Sequence, residues 1–268
     1  MIRLAIHGAL GRMGQTVAHL AVSSQDFLLT AALEREDHPE LGQNYYSLIG
    51  MKLPQELPIE KTSLAALEKA DGVIDFSSPQ GALQLAQLCA HLGLPLVSGT
   101  TGFREEEYQE FLKVSEKIPL LYSTNMSLGV NLLFALTKMA ARLLKDKNFD
   151  AELMEIHHGK KKDAPSGTAK TLEAILRQEM SLPSHLVVYG RQGLVGERRR
   201  EELGVLSIRG GDVVGEHTVY FLGHGERLEL KHLATSREIF ARGALMAIKY
   251  LRGKNPGLYT MQHVLGIE

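Results

Sequence analysis

A short apolar run, Ile2 to His7, leads directly into Gly8-Ala9-Leu10-Gly11-Arg12-Met13-Gly14, and a helical pattern begins at Arg12. Three glycines at this spacing, set between a strand and a helix, permit a tight turn. They also let backbone N–H groups reach a pyrophosphate at the positive end of the helix. A second apolar run, Leu28 to Leu33, ends in Glu34-Arg35, with Glu34 20 residues after Gly14. An acid at that distance accepts hydrogen bonds from an adenosine ribose, whereas an arginine beside it pairs with a 2′-phosphate. Glu34 therefore favours NADH and Arg35 favours NADPH, and the spacing leaves both open.

The rest of the first half repeats the same grammar. Strand-like runs at Gly72 to Phe76, Pro95 to Ser98 and Pro119 to Ser123 alternate with helical patterns near Ser63 to Lys69, Pro79 to Leu92 and Glu105 to Glu116. Such alternation predicts an α/β domain, a doubly wound parallel sheet of the Rossmann type. A longer helical pattern runs from Val130 to Lys147, and after it strand-like runs come with fewer helices between them: Ala151 to His157, Leu186 to Arg191, Val205 to Arg209, Val214 to Leu222 and Arg227 to Leu233. Apolar and polar residues alternate in Val205 to Arg209 and in Arg227 to Lys231, as in a sheet with one covered face. The expectation is an α+β second domain with a mixed, largely antiparallel sheet. A final helix, Arg237 to Leu251, has no strand after it and is expected to pack back on the first domain. Residues 1–127 with 237–268 then form the dinucleotide-binding domain, and 128–236 the substrate-binding and oligomerisation domain, a division that 268 residues accommodate.

Charge excludes one class of partner. Thirty Lys+Arg against 31 Asp+Glu leave a net charge of −1, too little for nucleic-acid binding through bulk positive charge. Arg198-Arg199-Arg200 is bracketed by Glu197, Glu201 and Glu202, which cancel much of its field. The single cysteine, Cys89, sits among Ala86, Leu88, Ala90 and Leu92 and reads as a packed helix position. No run of 18 apolar residues occurs, and the first residues are too short in apolar character for a signal peptide. The expectation is a cytoplasmic protein with no membrane partner.

The second half opens with the densest chemistry in the chain, Glu155-Ile156-His157-His158-Gly159-Lys160-Lys161-Lys162-Asp163-Ala164-Pro165-Ser166-Gly167-Thr168-Ala169. A strand delivers two histidines to a lysine loop, and the loop ends at Ser166, a good N-cap for a helix running to about Gln178. Backbone N–H groups at Gly167 and Thr168, with lysines close by, suit a carboxylate. A histidine nearby is the usual residue for moving a proton near neutral pH. No His-x-x-x-His helix or cysteine cluster completes a metal site, so none is expected.

These residues resemble the 4-hydroxy-tetrahydrodipicolinate reductases, also called dihydrodipicolinate reductases, of bacterial lysine and diaminopimelate synthesis. Glu155-x-His157-His158-x-x-Lys161-x-Asp163-Ala164-Pro165-Ser166-Gly167-Thr168-Ala169 carries the resemblance. Asp75-Phe76-Ser77, Gly99-Thr100-Thr101-Gly102-Phe103, Ser127-Leu128-Gly129-Val130-Asn131 and Gly211-Asp212-x-x-Gly215-Glu216-His217-Thr218 support it in family order. The resemblance implies an NAD(P)H-dependent oxidoreductase acting on a small dicarboxylate, assembled as a homotetramer through the second domain's sheet. It implies His157 as proton donor, Lys161 as the assisting acid, and His158, Gly167 and Thr168 as holders of the substrate carboxylates. Cofactor contacts implied in the same way are Gly8, Ala9, Leu10, Gly11, Arg12, Met13, Glu34, Arg35, Gly99, Thr100, Thr101, Ser123, Thr124, Asn125 and Met126. A hinge is implied near Asn125 to Gly129 and Ala234 to Arg237.

The chain departs from the family pattern in two places: Leu10 stands where many members have a further glycine, which makes the backbone there less free to take positive φ, and the Ser123-Thr124-Asn125-Met126 segment differs from common family versions in its side chains. Three rival readings weigh less, and one of them, an oxidoreductase of another substrate class such as a homoserine-type dehydrogenase with a similar first domain, does not explain the segment from His157 to Thr168. Tyr250-x-x-x-Lys254 matches the proton-transfer pair of short-chain dehydrogenases, but Gly253 and Pro256 end the helix such a pair needs. A dinucleotide sensor without catalysis has no use for His157 and Lys161 together.

Overall fold

The computed structural model describes residues 1–267. In chain order the first elements are β1 (Ile2–His7), α1 (Arg12–Val22), β2 (Phe27–Glu34), α2 (Tyr45–Leu48), β3 (Ile59–Lys61), α3 (Leu64–Leu67), β4 (Gly72–Asp75), α4 (Pro79–Leu92), β5 (Leu96–Ser98), α5 (Glu105–Lys113) and β6 (Pro119–Tyr122). There follow α6 (Leu128–Leu144), β7 (Asp150–His157), α7 (Gly167–Met180), β8 (Val187–Val188), β9 (Leu203–Arg209), β10 (Gly215–Gly223), β11 (Glu226–Ala234), α8 (Glu238–Leu251), β12 (Gly257–Tyr259) and α9 (Met261–Leu265). The chain divides into two units, one of Met1–Ser127 with the residues from Glu238 onward, the other Leu128–Arg237.

The first unit is a seven-stranded parallel sheet in the order β12-β6-β5-β4-β1-β2-β3. Its central strand β4 is buried at every position, as expected where helices cover both faces. Each helix is set by local chemistry. In α4, Ser78 caps the Gly81 amide, Pro79 occupies the first turn, and Gly93 ends the helix in the left-handed region, its amide donating to the Cys89 carbonyl. Ala82, Leu85, Ala86 and Cys89 form its buried stripe in the main core. Cys89 is thus a packing residue, and burial pushes its thiol pKa up.

Two features of this unit differ from the sequence reading. A strand does follow the last helix: β12 pairs in parallel with β6, Gly257 opposite Pro119 and Tyr259 opposite Leu121. Its three residues lack any periodicity, so only the pairing with β6 reveals it. The stretch from Glu36 to Thr62 also holds α2 and β3, which were not anticipated.

The second unit is a five-stranded mixed sheet in the order β11-β10-β7-β9-β8. It is antiparallel from β11 to β7 and parallel from β7 to β8. The strand read over Leu186 to Arg191 shrinks to Val187–Val188. Helices α6 and α7 cover one face, where Leu153, Val205, Val219 and Phe221 meet Leu133, Leu172 and Leu176.

Candidate active site

In the first unit the glycine loop does what its spacing demands. Gly8 has φ +70°, and a Cβ there would lie 2.5 Å from the Phe76 carbonyl oxygen. A Cβ on Gly14 would lie 2.3 Å from the Gly8 carbonyl oxygen, so only glycine lets α1 close onto the loop. Leu10 is not among the positive-φ residues, so its departure from glycine introduces no backbone strain. Helix α1 starts at Gly11 with no side-chain cap, whereas α4 and α7 are capped by serines. Its first amides, at Arg12 and Met13, are therefore open to an anion.

A cleft of about 570 Å³ adjoins the loop, lined by Gly8, Gly11, Glu34, Arg35, Phe76 and Ser77 among others. Glu34 accepts the Leu10 amide at 2.8 Å, which ties the end of β2 to the loop. The exposed Arg35 pairs with Asp37. Tyr45, wholly buried on α2, donates its hydroxyl to the Ala9 carbonyl at 2.8 Å. The sequence reading missed this brace. A cradle that only glycine can build, an uncapped helix start and an acid at the cleft together fit a dinucleotide.

The neighbouring strand ends converge on Asp75, which is wholly buried. His7 Nδ1 lies 2.8 Å from one carboxylate oxygen, and the Ser77 hydroxyl donates to the same oxygen at 2.6 Å. Ser98 and Thr100 donate to the other at 2.7 and 2.8 Å. Burial opposes the charged form, but the bonds from His7, Ser77 and Ser98 outweigh it and hold the carboxyl below its ordinary value. Thr100 in turn accepts the Ser77 amide at 2.9 Å. Gly99 faces the Phe76 ring at a distance that a Cβ would close to 2.2 Å. Thr101 is exposed. Thr124 is exposed too, Ser123 donates to the Asn125 carbonyl at 2.7 Å, Asn125 accepts the Ser127 amide at 2.9 Å, and Met126 is buried against Gly243.

In the second unit, strand register builds a polar cluster on the covered face. Glu155 and His157 lie two apart on β7. Ser207 and Arg209 stand opposite them on β9, and His217 stands opposite Glu155 on β10. His157 Nδ1 lies 2.5 Å from a Glu155 oxygen. Arg209 donates to both Glu155 oxygens, at 2.8 and 2.7 Å, and to the Asp163 carbonyl at 2.8 Å. The Ser166 amide donates to Glu155 at 3.1 Å, and the Ser166 hydroxyl lies 3.0 Å from His217 Nε2. The His157 and His217 rings meet edge to face at 5.2 Å.

Burial works against a charged Glu155, yet its bonds to Arg209, His157 and Ser207 bring its carboxyl down to about 2. Burial also lowers the His157 pKa. Glu155 opposes that shift, and Lys161 and Arg209 reinforce it. Lys161 lies on the loop after β7 and donates to Asp163 at 2.8 Å. His158 Nδ1 is buried with no partner among the described residues. Gly167 heads α7, and a Cβ there would meet nothing within 4 Å. His157, Lys161, His158 and Gly167 are thus gathered with Thr168 at one end of β7 and α7. The arginine run does not form a patch, since Arg198 pairs with Asp150 and Glu152 of β7. The rival pair is spent as well: Lys254 stacks over the Tyr250 ring at 4.5 Å, beyond the end of α8.

Two sequence families match the chain, "Dihydrodipicolinate reductase, N-terminus" over residues 2–126 and "Dihydrodipicolinate reductase, C-terminus" over 129–265. The 4-hydroxy-tetrahydrodipicolinate reductase of Aquifex aeolicus (strain VF5) is 47% identical, covering 99% of each chain. That of Anaeromyxobacter sp. (strain Fw109-5) is 45% identical over 100% of this chain and 99% of its own. Among solved structures, the dipicolinate-bound dihydrodipicolinate reductase from Paenisporosarcina sp. TG-14 superposes with a TM-score of 0.76 at 26% identity, covering 97% of each chain. A probable dehydrogenase from Thermotoga maritima, 13% identical with a TM-score of 0.61 over 99% of this chain and 93% of its own, shares the fold. With both halves matched and near-complete relatives at this identity, the chain belongs to the dihydrodipicolinate reductase family of oxidoreductases.

Proposed function

We propose that this chain reduces 4-hydroxy-tetrahydrodipicolinate to tetrahydrodipicolinate in lysine and diaminopimelate synthesis, with His157 as proton donor and Lys161 as assisting acid. The observation that carries this reading is the clustering of His157, held by Glu155, with Lys161 and the N-terminus of α7 in the second unit. His158 and the amides of Gly167 and Thr168 take the substrate carboxylates, and Lys161 offsets the remaining negative charge.

Gly8 to Met13, Glu34 and Arg35, Gly99 to Thr101 and Ser123 to Met126 would hold a nicotinamide dinucleotide, which when bound would supply the hydride. Loss of the substrate's 4-hydroxyl as water leaves a conjugated carbon-nitrogen system; on hydride addition to one end of it, negative charge would build at the neighbouring carbon, and His157 Nε2 would deliver the proton that quenches it. In the free protein burial keeps His157 low and therefore neutral near pH 7. A dianion beside it favours the imidazolium, so the acid form accompanies substrate binding.

The sheet face turned away from α6 and α7 carries Leu206, Ile208 and Leu233, at 37, 45 and 48% exposure, and supports assembly into a homotetramer through that face. The test of function is steady-state turnover at the NADH absorbance band with each cofactor. His157→Ala is expected to lower kcat far more than it raises KM, and Lys161→Ala to damage both. A His157→Ala enzyme with the parent's kcat removes histidine from the mechanism.

A further inference from the structure

We propose that Glu155 is the positioning residue of this site, one buried carboxylate that sets the tautomer of His157 and holds the N-cap of α7. The proposal rests on the reading of His157 as proton donor. Glu155 is fully buried and is bonded by both Arg209 terminal nitrogens, the Ser166 amide, the Ser207 side chain and His157 Nδ1. An ionised carboxylate only accepts, so the atom facing it on His157 must be N–H. That leaves Nε2 as the atom that gains and gives the proton.

Two further observations argue that the arrangement serves the histidine and is more than an ion pair. Gly215 stands where a Cβ would lie 3.0 Å from His157 Nε2, so β10 leaves room for that edge of the ring. Arg209 binds the Asp163 carbonyl as well as Glu155, which fixes the loop bearing Lys161 to the same anchor. The proton donor, the second cation and the head of α7 are thereby referenced to one carboxylate. The groups facing His157 are Glu155 on its own strand, Arg209 on β9, His217 on β10, and Lys161 with Asp163 on the loop.

The test is nitrogen-15 NMR of the histidine side chains in the full chain, paired with kinetics of Glu155→Gln. In the parent, neutral His157 is expected as the Nδ1–H tautomer. The glutamine amide can donate, so in Glu155→Gln the ring shifts toward the Nε2–H tautomer. In that variant kcat falls roughly 10- to 100-fold with KM within about threefold. The limb of the kcat pH profile that belongs to His157 moves to lower pH, because the carboxylate that favoured the imidazolium is gone.

An Nε2–H tautomer in the parent overturns the proposal, and this measurement needs no variant to fold. A folded Glu155→Gln protein with the parent's tautomer, kcat and pH profile overturns it too. If instead His157→Ala keeps its kcat, the proton-donor reading fails while the tautomer measurement still decides whether Glu155 positions the ring.

Discussion

The Leu10 amide donates to the Glu34 carboxylate at 2.8 Å, joining the one non-glycine departure in the cofactor loop to the acid at the end of β2. On the proposed reading Glu34 has two tasks: one oxygen steadies the loop, and the other is left for a ribose. Loss of the side chain removes both, and the loop contribution is common to any dinucleotide. The ribose contribution is specific to a cofactor with a free 2′-hydroxyl. Glu34→Ala is expected to weaken NADH about 10-fold or more and NADPH by less, as measured by fluorescence titration. Equal losses for the two cofactors leave Glu34 with the loop alone.

Tyr45 reaches the same loop from the other side, its hydroxyl 2.8 Å from the Ala9 carbonyl and 3.4 Å from that of Gly14. Phenylalanine fills the same space without the donor. Tyr45→Phe is expected to cost about 1 kcal/mol, a Tm drop of about 2–4 °C, and to raise the Kd for either cofactor by a similar factor. A melting curve superimposable on the parent's removes this bond from the account.

The contrast between these two residues shows what the sequence made legible. Glu34 was visible because its distance from the glycines follows from strand length and turn geometry, both local. Tyr45 was not, because α2 and β3 are held in place by tertiary bonds such as Tyr45 amide to Leu57 carbonyl at 2.7 Å and Gly42 amide to Ile59 carbonyl at 2.8 Å. No periodicity develops over three or four residues. The second unit divides in the same way. His157, Lys161 and Ser166 lie in one contiguous segment and were read as a site. Arg209 and His217 come from strands far along the chain and reach Glu155 only through the register of β9 and β10.

That register also places a buried histidine where pH is felt. Burial, with His157 next, lowers the His217 pKa to about 4, while Glu155 opposes and His232 and Lys161 reinforce the shift. An unfolded chain holds such a histidine near 6.5. Between those values the unfolded state binds a proton that the folded state does not. Stability is therefore full above about pH 6.5, declines as pH falls toward about 4, and is flat for this group below that. The contribution is on the order of 3 kcal/mol. His157 and His232, also lowered, act with the same sign. Urea unfolding from pH 7.5 to 4.5 should show the decline, and His217→Gln, which keeps a group near Ser166, should flatten it. A parent curve and a variant curve of equal slope refute the assignment.

Gly215 offers the sharpest test of which nitrogen of His157 works. A Cβ at this position would lie 3.0 Å from Nε2 and 3.4 Å from Cδ2, so the ring must give by a few tenths of an ångström. Glu155 holds the opposite edge of the ring, so the movement falls on Nε2. A misplacement of this kind falls on the reacting geometry more than on folding. Gly215→Ala is expected to lower kcat about 10-fold, with KM within about twofold and stability within about 1 kcal/mol of the parent. Gly210→Ala is the matched control, since a Cβ there meets nothing within 4 Å, and its kinetics should equal the parent's. If Gly215→Ala folds normally and turns over like the control, Nε2 is not the atom through which the proton passes.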